Sequence, residues 1–323
     1  MSKYYCKQLN SNENVVLLGF RSNNGAAAQE ARISLRYGAN LCRYSYKGFN
    51  IIDYDPELLK ISDFTGTPVL YPTPNRVENG VFIFRDKAYE QVKRGRRVFE
   101  HGLVYDEEWE LVNVHAAEKE AFLSARITWT IDSPLFEAFP FPHSLTLTFR
   151  LIDGGIDITY DIFNYGSEEI PYGFGLHPYF QKLSGEDRTV IALPVEHVME
   201  ATEALLPTGK ILPVPGTAFD INRPTSIGKL DLDHVFLRAA GDTPAAIHYT
   251  EQGFKVNVNA TNDFSHFVVY SPAGMPYFCI ETQTCSTNAH NLYHRGLHEI
   301  SGLVMVAPGE HKIGRVWYTI SPE

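Results

Sequence analysis

The stretch SLTLTFRLIDGGIDITYDI, residues 144–162, decides the architecture. Leu145, Leu147 and Phe149 alternate with Thr146, Thr148 and Arg150, the period of two that marks a strand with one buried face. Asp153-Gly154 then supplies a turn, because this dipeptide tolerates the backbone of a tight hairpin. Beyond it Ile156, Ile158, Tyr160 and Ile162 share one face, and Asp157, Thr159 and Asp161 the other. The stretch is therefore predicted to be an antiparallel hairpin. Similar alternation recurs in ARISLRYG (31–38), ARITWTID (125–132), KVNVNA (255–260) and HFVVYS (266–271). With 24 Gly and 19 Pro spread along the chain, long helices are not expected. The pattern predicts an all-β fold of stacked, mainly antiparallel sheets with few short helices. No internal repeat or low-complexity segment interrupts it. TGKILPVPGTAFDINRPTS (208–226) resembles a linker in its Pro, Gly and Thr content but carries spaced apolar residues. It is read as a long ordered loop within a single domain spanning 1–323.

Composition narrows the function. A chain of 323 residues, 44% hydrophobic and 13% aromatic, can bury a large core. A net charge of -10 and a pI near 5.6 argue against nucleic acid, whose phosphates require clustered Lys and Arg. A small neutral ligand fits this balance better. No apolar run approaches the roughly 20 residues that span a bilayer. The opening MSKYYCKQLNSNENVV lacks the apolar core of a signal peptide, so a soluble, cytoplasmic protein without a membrane partner is expected. Cys6, Cys42, Cys279 and Cys285 form no CxxC pair and have no His spaced to complete a zinc site, so they read as reduced structural thiols. Cys285, four residues after Glu281, has the alternative reading of a nucleophile, but no activating base lies nearby in the sequence.

Two polar residues sit where apolar ones would serve a core. His177 lies in YGFGLHPYF among Leu176, Pro178, Tyr179 and Phe180, and a buried imidazole needs partners. Glu281 follows the run YFCI, where a carboxylate is costly to bury unless it is paired or used. Desolvated there, it would titrate high and could act as a base near neutrality. Arg76 follows the turn YPTPN, His101 precedes a glycine in EHGLVYDEEW, and Asp233 opens DHVFL. Taken singly, each of these three also suits a loop or surface position.

Their combination resembles the aldose 1-epimerase (mutarotase) family. ISLRYGANLCRYSYKGFNII (33–52) is similar to its amino-terminal strand–Gly-Ala–strand signature, and PVLYPTPNRVENGVFIF (68–84) to its Asn-Arg segment. HGLVYDEEWEL (101–111) resembles the His-Gly segment with its downstream Trp, and FGLHPYF (174–180) the central His-x-Tyr-Phe motif. LLPTGKILPVPGTAFDI (205–221), LDHVF (232–236) and PYFCIETQT (276–284) resemble, in order, the Pro-Thr-Gly loop, the Asp segment and the carboxyl-terminal Glu motif. The resemblance implies a β-supersandwich with the site in a groove on the concave sheet. It makes Glu281 the general base and His177 the general acid, with Asn75, Arg76, His101 and Asp233 holding sugar hydroxyls. It implies no cofactor and no metal, a free sugar as the partner, and a monomer or homodimer.

The departures concern the substrate. Leu-His-Pro-Tyr-Phe stands where the galactose-specific pattern has Asn-His-Ser-Tyr-Phe, and the Arg segment reads Pro-Asn-Arg-Val. Both resemble the broader bacterial epimerase-like branch, so anomer exchange is expected and the preferred sugar, galactose or another, stays open. KRGRR places Lys93, Arg94, Arg96 and Arg97 shortly before His101, which raises a hexose 6-phosphate as an alternative substrate; the other reading is a solvated basic turn. A sugar-binding or sensor protein that lost the chemistry is a further alternative, against which the intact His177 and Glu281 weigh.

Overall fold

Alternating apolar residues become two stacked antiparallel sheets. The structure, a computed structural model, describes residues 3–9 and 12–323; Met1, Ser2, Asn10 and Ser11, part of the amino-terminal stretch read above, lie outside the described residues. Among the described residues the larger sheet has 13 strands and the smaller 9. The hairpin forms as the pattern requires, with His143–Ile152 paired to Gly155–Asn164 in unbroken register. Leu145, Leu147, Phe149, Ile156, Ile158, Tyr160 and Ile162 are all buried, facing the larger sheet. From that sheet Phe180, Phe278 and Ile280 join the same apolar cluster, and the rings of Phe180 and Tyr318 meet across the two sheets at 5.6 Å.

The larger sheet runs, in spatial order, from Tyr4–Leu9 through Phe49–Ile52 to Tyr179–Gln181, Tyr277–Gln283, His266–Tyr270, Asp233–Arg238, Val195–Ala201 and Pro207–Pro213. The strand Tyr277–Gln283 lies in its interior, paired on one side with His266–Tyr270 and on the other with Tyr179–Gln181 and Gly175–Leu176. Because side chains alternate along a strand, Phe278 and Ile280 enter the core while Cys279, Glu281 and Gln283 face the opposite side. This is how one apolar stretch delivers a carboxylate to a surface groove.

Among the described residues helices are short, the longest being Ala289–His294 with 6 residues, and none is long and apolar enough to cross a membrane. One expectation fails. The segment 208–226 is not loop throughout, because Pro207–Pro213 pairs with Val195–Ala201 as the last strand of the larger sheet. Its prolines sit at the two ends of an edge strand, where a missing N–H costs the ladder least. The chain then turns through 214–224 before a two-residue strand at Thr225–Ser226.

Candidate active site

Seven separate segments build one cavity of about 200 Å³ on the outer face of the larger sheet. Asn75, Arg76, His101, His177, Asp233 and Glu281, all six singled out from the sequence, line it together. Phe64, Glu100, Tyr179 and Tyr270 complete its walls, and the sequence had not marked them.

Glu281 comes from the interior strand described above and His177 from the short link between the strands Gly175–Leu176 and Tyr179–Gln181, both of which pair with that strand. His177 Nε2 therefore stands 3.3 Å from Glu281 Oε1, with only 5% of the histidine and 2% of the glutamate exposed. Tyr179 stacks on the His177 ring at 4.9 Å, and His101 meets it edge-on at 5.3 Å. The other carboxylate oxygen of Glu281 accepts a 2.8 Å hydrogen bond from Gln283 Nε2, two residues along the same strand face.

Burial dominates the electrostatics. It pushes the Glu281 carboxyl up from 4.5 to about 8; Asp233 adds to this, while the Gln283 hydrogen bond and Arg76 oppose it. It pushes His177 down to about 4. The sequence reading paired a carboxylate with an imidazolium, whereas burial favours two uncharged groups. Both descriptions contain the same single proton, which the 3.3 Å contact allows to move between them. His101 is likewise lowered, chiefly by burial and then by His177 and Arg76, and its Nδ1 is buried without a partner. A neutral imidazole offers one donor and one acceptor, the pair a sugar hydroxyl matches.

The loops that carry Asn75, Arg76 and His101 are zipped together. His101 N–H donates to the Asn75 carbonyl at 2.8 Å, Val77 N–H to the Phe99 carbonyl at 2.6 Å, and Leu103 N–H to the Tyr71 carbonyl at 2.7 Å. Asn75 and His101 both have positive φ, 56° and 62°, a conformation that L-residues other than Asn and Asp seldom adopt. Gly102 follows with φ 74°, and a Cβ there would lie 2.2 Å from the Tyr71 carbonyl oxygen, so only glycine permits this approach. The Asn75 side-chain oxygen accepts from the Arg76 backbone N–H at 2.8 Å and from its Nη1 at 3.2 Å, which aims the guanidinium. Arg76 then lies between Asp233 at 3.9 Å and Glu100 at 3.8 Å.

The basic turn does not reach this cavity. Lys93 is buried and paired with Asp106 and with Glu107 at 2.8 Å, Arg94 bonds both of those carboxylates, and Arg97 bonds Glu90. Among the described residues Arg96 has no ion-pair partner. Cys285 is buried and its thiol is pushed up to about 12 by burial, the opposite of an activated nucleophile. Among the described residues no group of three His, Cys, Asp or Glu side chains is placed to hold a metal ion.

The profile of the family described as aldose 1-epimerase matches residues 24–319. An uncharacterized protein of Escherichia coli K12, YihR, is 24% identical over 79% of this chain and 80% of its own length. The galactose mutarotase of Sus scrofa is 27% identical over 57% of this chain, and the match spans 59% of that enzyme. A galactose mutarotase-like protein from Clostridium acetobutylicum superposes with a TM-score of 0.86 at 21% identity, covering 99% of both chains, and so shares the fold. The galactose 1-epimerase of Lactobacillus acidophilus gives 0.78 at 15% identity, over 100% of this chain and 99% of that one.

Proposed function

The chain belongs to the aldose 1-epimerase family of isomerases, and from that premise we propose that it interconverts the α and β anomers of a free hexose, with Glu281 as base and His177 as acid. The observation that carries this reading is the 3.3 Å Glu281–His177 contact, buried at one end of a cavity whose remaining polar groups suit hydroxyls.

The reaction needs one proton removed and one delivered. Glu281 Oε1 takes the proton of the anomeric hydroxyl as the C1–O5 bond breaks, and the electron pair leaving on O5 takes a proton from His177 Nε2. The aldehyde that results turns about C1–C2. O5 then attacks the other carbonyl face, returning its proton to His177, while O1 recovers a proton from Glu281. Protons and electrons balance, and the pair ends as it began. Arg76, Asp233, His101 and Asn75 hold the remaining hydroxyls and keep the open chain in place, which supplies the positional share of the acceleration.

The free sugar is favoured over a hexose 6-phosphate by the ion pairs of the basic turn. Lys93, Arg94 and Arg97 already face carboxylates, so a phosphate would have to displace them. The test is polarimetry of freshly dissolved α-D-glucose, α-D-galactose and α-D-glucose 6-phosphate, with wild-type protein, with Glu281→Gln and without protein. Relaxation accelerated by the wild type and not by the variant supports the reading. Equal acceleration by both proteins overturns the assignment of Glu281, and no acceleration of any sugar overturns the activity.

A further inference from the structure

Among the described residues Arg76 is the one Lys or Arg that lines the catalytic cavity, and it stands on a loop with its side chain only half-buried. Its backbone therefore decides where the guanidinium can reach. That backbone is held on both sides. The Arg76 N–H donates to Asn75 Oδ1 at 2.8 Å, and the Arg76 carbonyl accepts from the Asn288 N–H at 2.9 Å. Two residues on, the Glu78 N–H donates to Asn288 Oδ1 at 3.2 Å. Asn288 thus grips the loop twice, once with its backbone and once with its side chain.

The grip depends on an uncommon backbone. Asn288 is buried with φ 57° and ψ 31°, the left-handed conformation that Asn and Asp adopt more readily than other residues with a side chain. Its amide oxygen is itself held. Asn291 Nδ2 donates to it at 2.6 Å and to the Val81 carbonyl at 2.9 Å, while Asn291 Oδ1 accepts from the Ile83 N–H at 3.0 Å. The strand Val81–Phe84, which follows the Arg76 loop, is thereby tied to the same helix Ala289–His294 that Asn288 precedes.

Asn288 is also joined to the base. Beyond the strand that carries Glu281 the chain continues through Thr284, Cys285, Ser286 and Thr287, all buried. The Thr284 N–H donates to the Phe174 carbonyl at 2.8 Å and the Ser286 N–H to the Ser301 carbonyl at 2.9 Å. A short, fixed length of chain therefore runs from Glu281 to the residue that grips Arg76. Resting on the epimerase reading, we propose that Asn288 is a positioning residue that sets Arg76 relative to Glu281, so that the guanidinium meets the sugar hydroxyls while the anomeric carbon lies at the base. Asn288 does not itself line the catalytic cavity. It acts through Arg76, and small displacements of a substrate-holding group are costly.

The test uses two substitutions that suit the backbone. Asn288→Gly accepts positive φ and keeps the N–H to Arg76 but removes the side-chain acceptor, whereas Asn288→Asp keeps that acceptor. Anomer exchange of α-D-glucose and α-D-galactose is followed in the wild type, both variants, Arg76→Ala and the Arg76→Ala/Asn288→Gly double variant, with thermal midpoints confirming that each is folded at the assay temperature. Asn288→Gly should raise KM by roughly 2–10-fold, the worth of one neutral hydrogen bond, with kcat near the wild-type value. Asn288→Asp should recover most of that loss. In the Arg76→Ala background the glycine substitution should leave kcat/KM unchanged, because the two residues act as one unit. An unaltered KM in Asn288→Gly overturns the positioning role while leaving the epimerase reading intact. So does an aspartate variant no better than the glycine one, or an equal loss with and without Arg76. No acceleration of either sugar by the wild type overturns the epimerase reading, and the proposal with it.

Discussion

Replacing Gln283 by Met removes one hydrogen bond and changes little else. Its Nε2 donates to Glu281 Oε2 at 2.8 Å, whereas its own carbonyl oxygen is buried without a partner. Methionine has similar length and no donor, and the backbone pairing with Gly175 and His266 is untouched. In the wild type the Glu281–His177 pair holds one proton between about 4, below which both groups are protonated, and about 8, above which neither is. The kcat/KM profile should therefore be a bell with limbs near those values. A hydrogen bond to a charged acceptor contributes about 1.5–3 kcal/mol, and 1.36 kcal/mol corresponds to one pH unit, so its loss raises the alkaline limb by about one to two units. The same energy lowers the ionised fraction of Glu281 at pH 7 by about 10–100-fold, and kcat/KM with it. The assay is polarimetric relaxation of α-D-glucose from pH 4 to 10, with the uncatalysed rate subtracted at each pH. A profile displaced downward with its alkaline limb still near the wild-type position refutes the reasoning, because Gln283 would then only pack.

Glu281→Gln should lower kcat by about 10²–10⁴, the range for loss of one general acid–base group, as read by the same relaxation. Its stability should move the other way. The folded protein holds the Glu281 proton more tightly than the unfolded chain, so that contribution is complete below about 4.5 and is lost as pH rises through about 8. The urea midpoint of the variant should accordingly gain on the wild type between pH 5 and pH 9, and an equal difference at both would exclude burial as the cause. His177→Asn should cost a similar factor in kcat and erase the acid limb near 4, since the group that titrates there is gone. Lys93→Met leaves Asp106 and Glu107 with the exposed Arg94 as their remaining cationic partner and should destabilise by about 1–3 kcal/mol in denaturant melts. Arg94→Ala with Arg97→Ala should leave the ratio of glucose 6-phosphate to glucose turnover unchanged; a selective loss with the phosphate ester would place that group at the basic turn.

The hairpin at 143–164 was legible because both of its strands alternate without a break and Asp153-Gly154 marks the turn. The edge strand Pro207–Pro213 was not, because two prolines within seven residues look like a loop until the partner Val195–Ala201 is known. The same division holds in the site. Glu281 and His177 stood out because each interrupts an apolar run, a local signal. Asn75, Arg76, His101 and Asp233 were picked out by order and resemblance, since nothing near them in sequence shows that they converge. Phe64, Glu100, Tyr179 and Tyr270 escaped because their roles come from tertiary position alone. Gln283 could have been found: a period of two from Glu281 puts it on the same strand face. The charges of KRGRR were visible, but the carboxylates that pair with them lie outside it, Asp106 and Glu107 after it and Glu90 before it.

Glu281 sits on a strand that is paired on both sides, and His177 is pinned between two short strands bound to it. A reaction run close to equilibrium in both directions must discharge one anomer as readily as the other. Walls fixed by a ladder of backbone bonds present the same surface to each, so the departure of product is governed by the sugar's own hydrogen bonds. An incoming sugar also finds the geometry already assembled and spends no binding energy on ordering it. The binding free energy that ordering would have consumed therefore remains for holding the sugar hydroxyls through ring opening and reclosure.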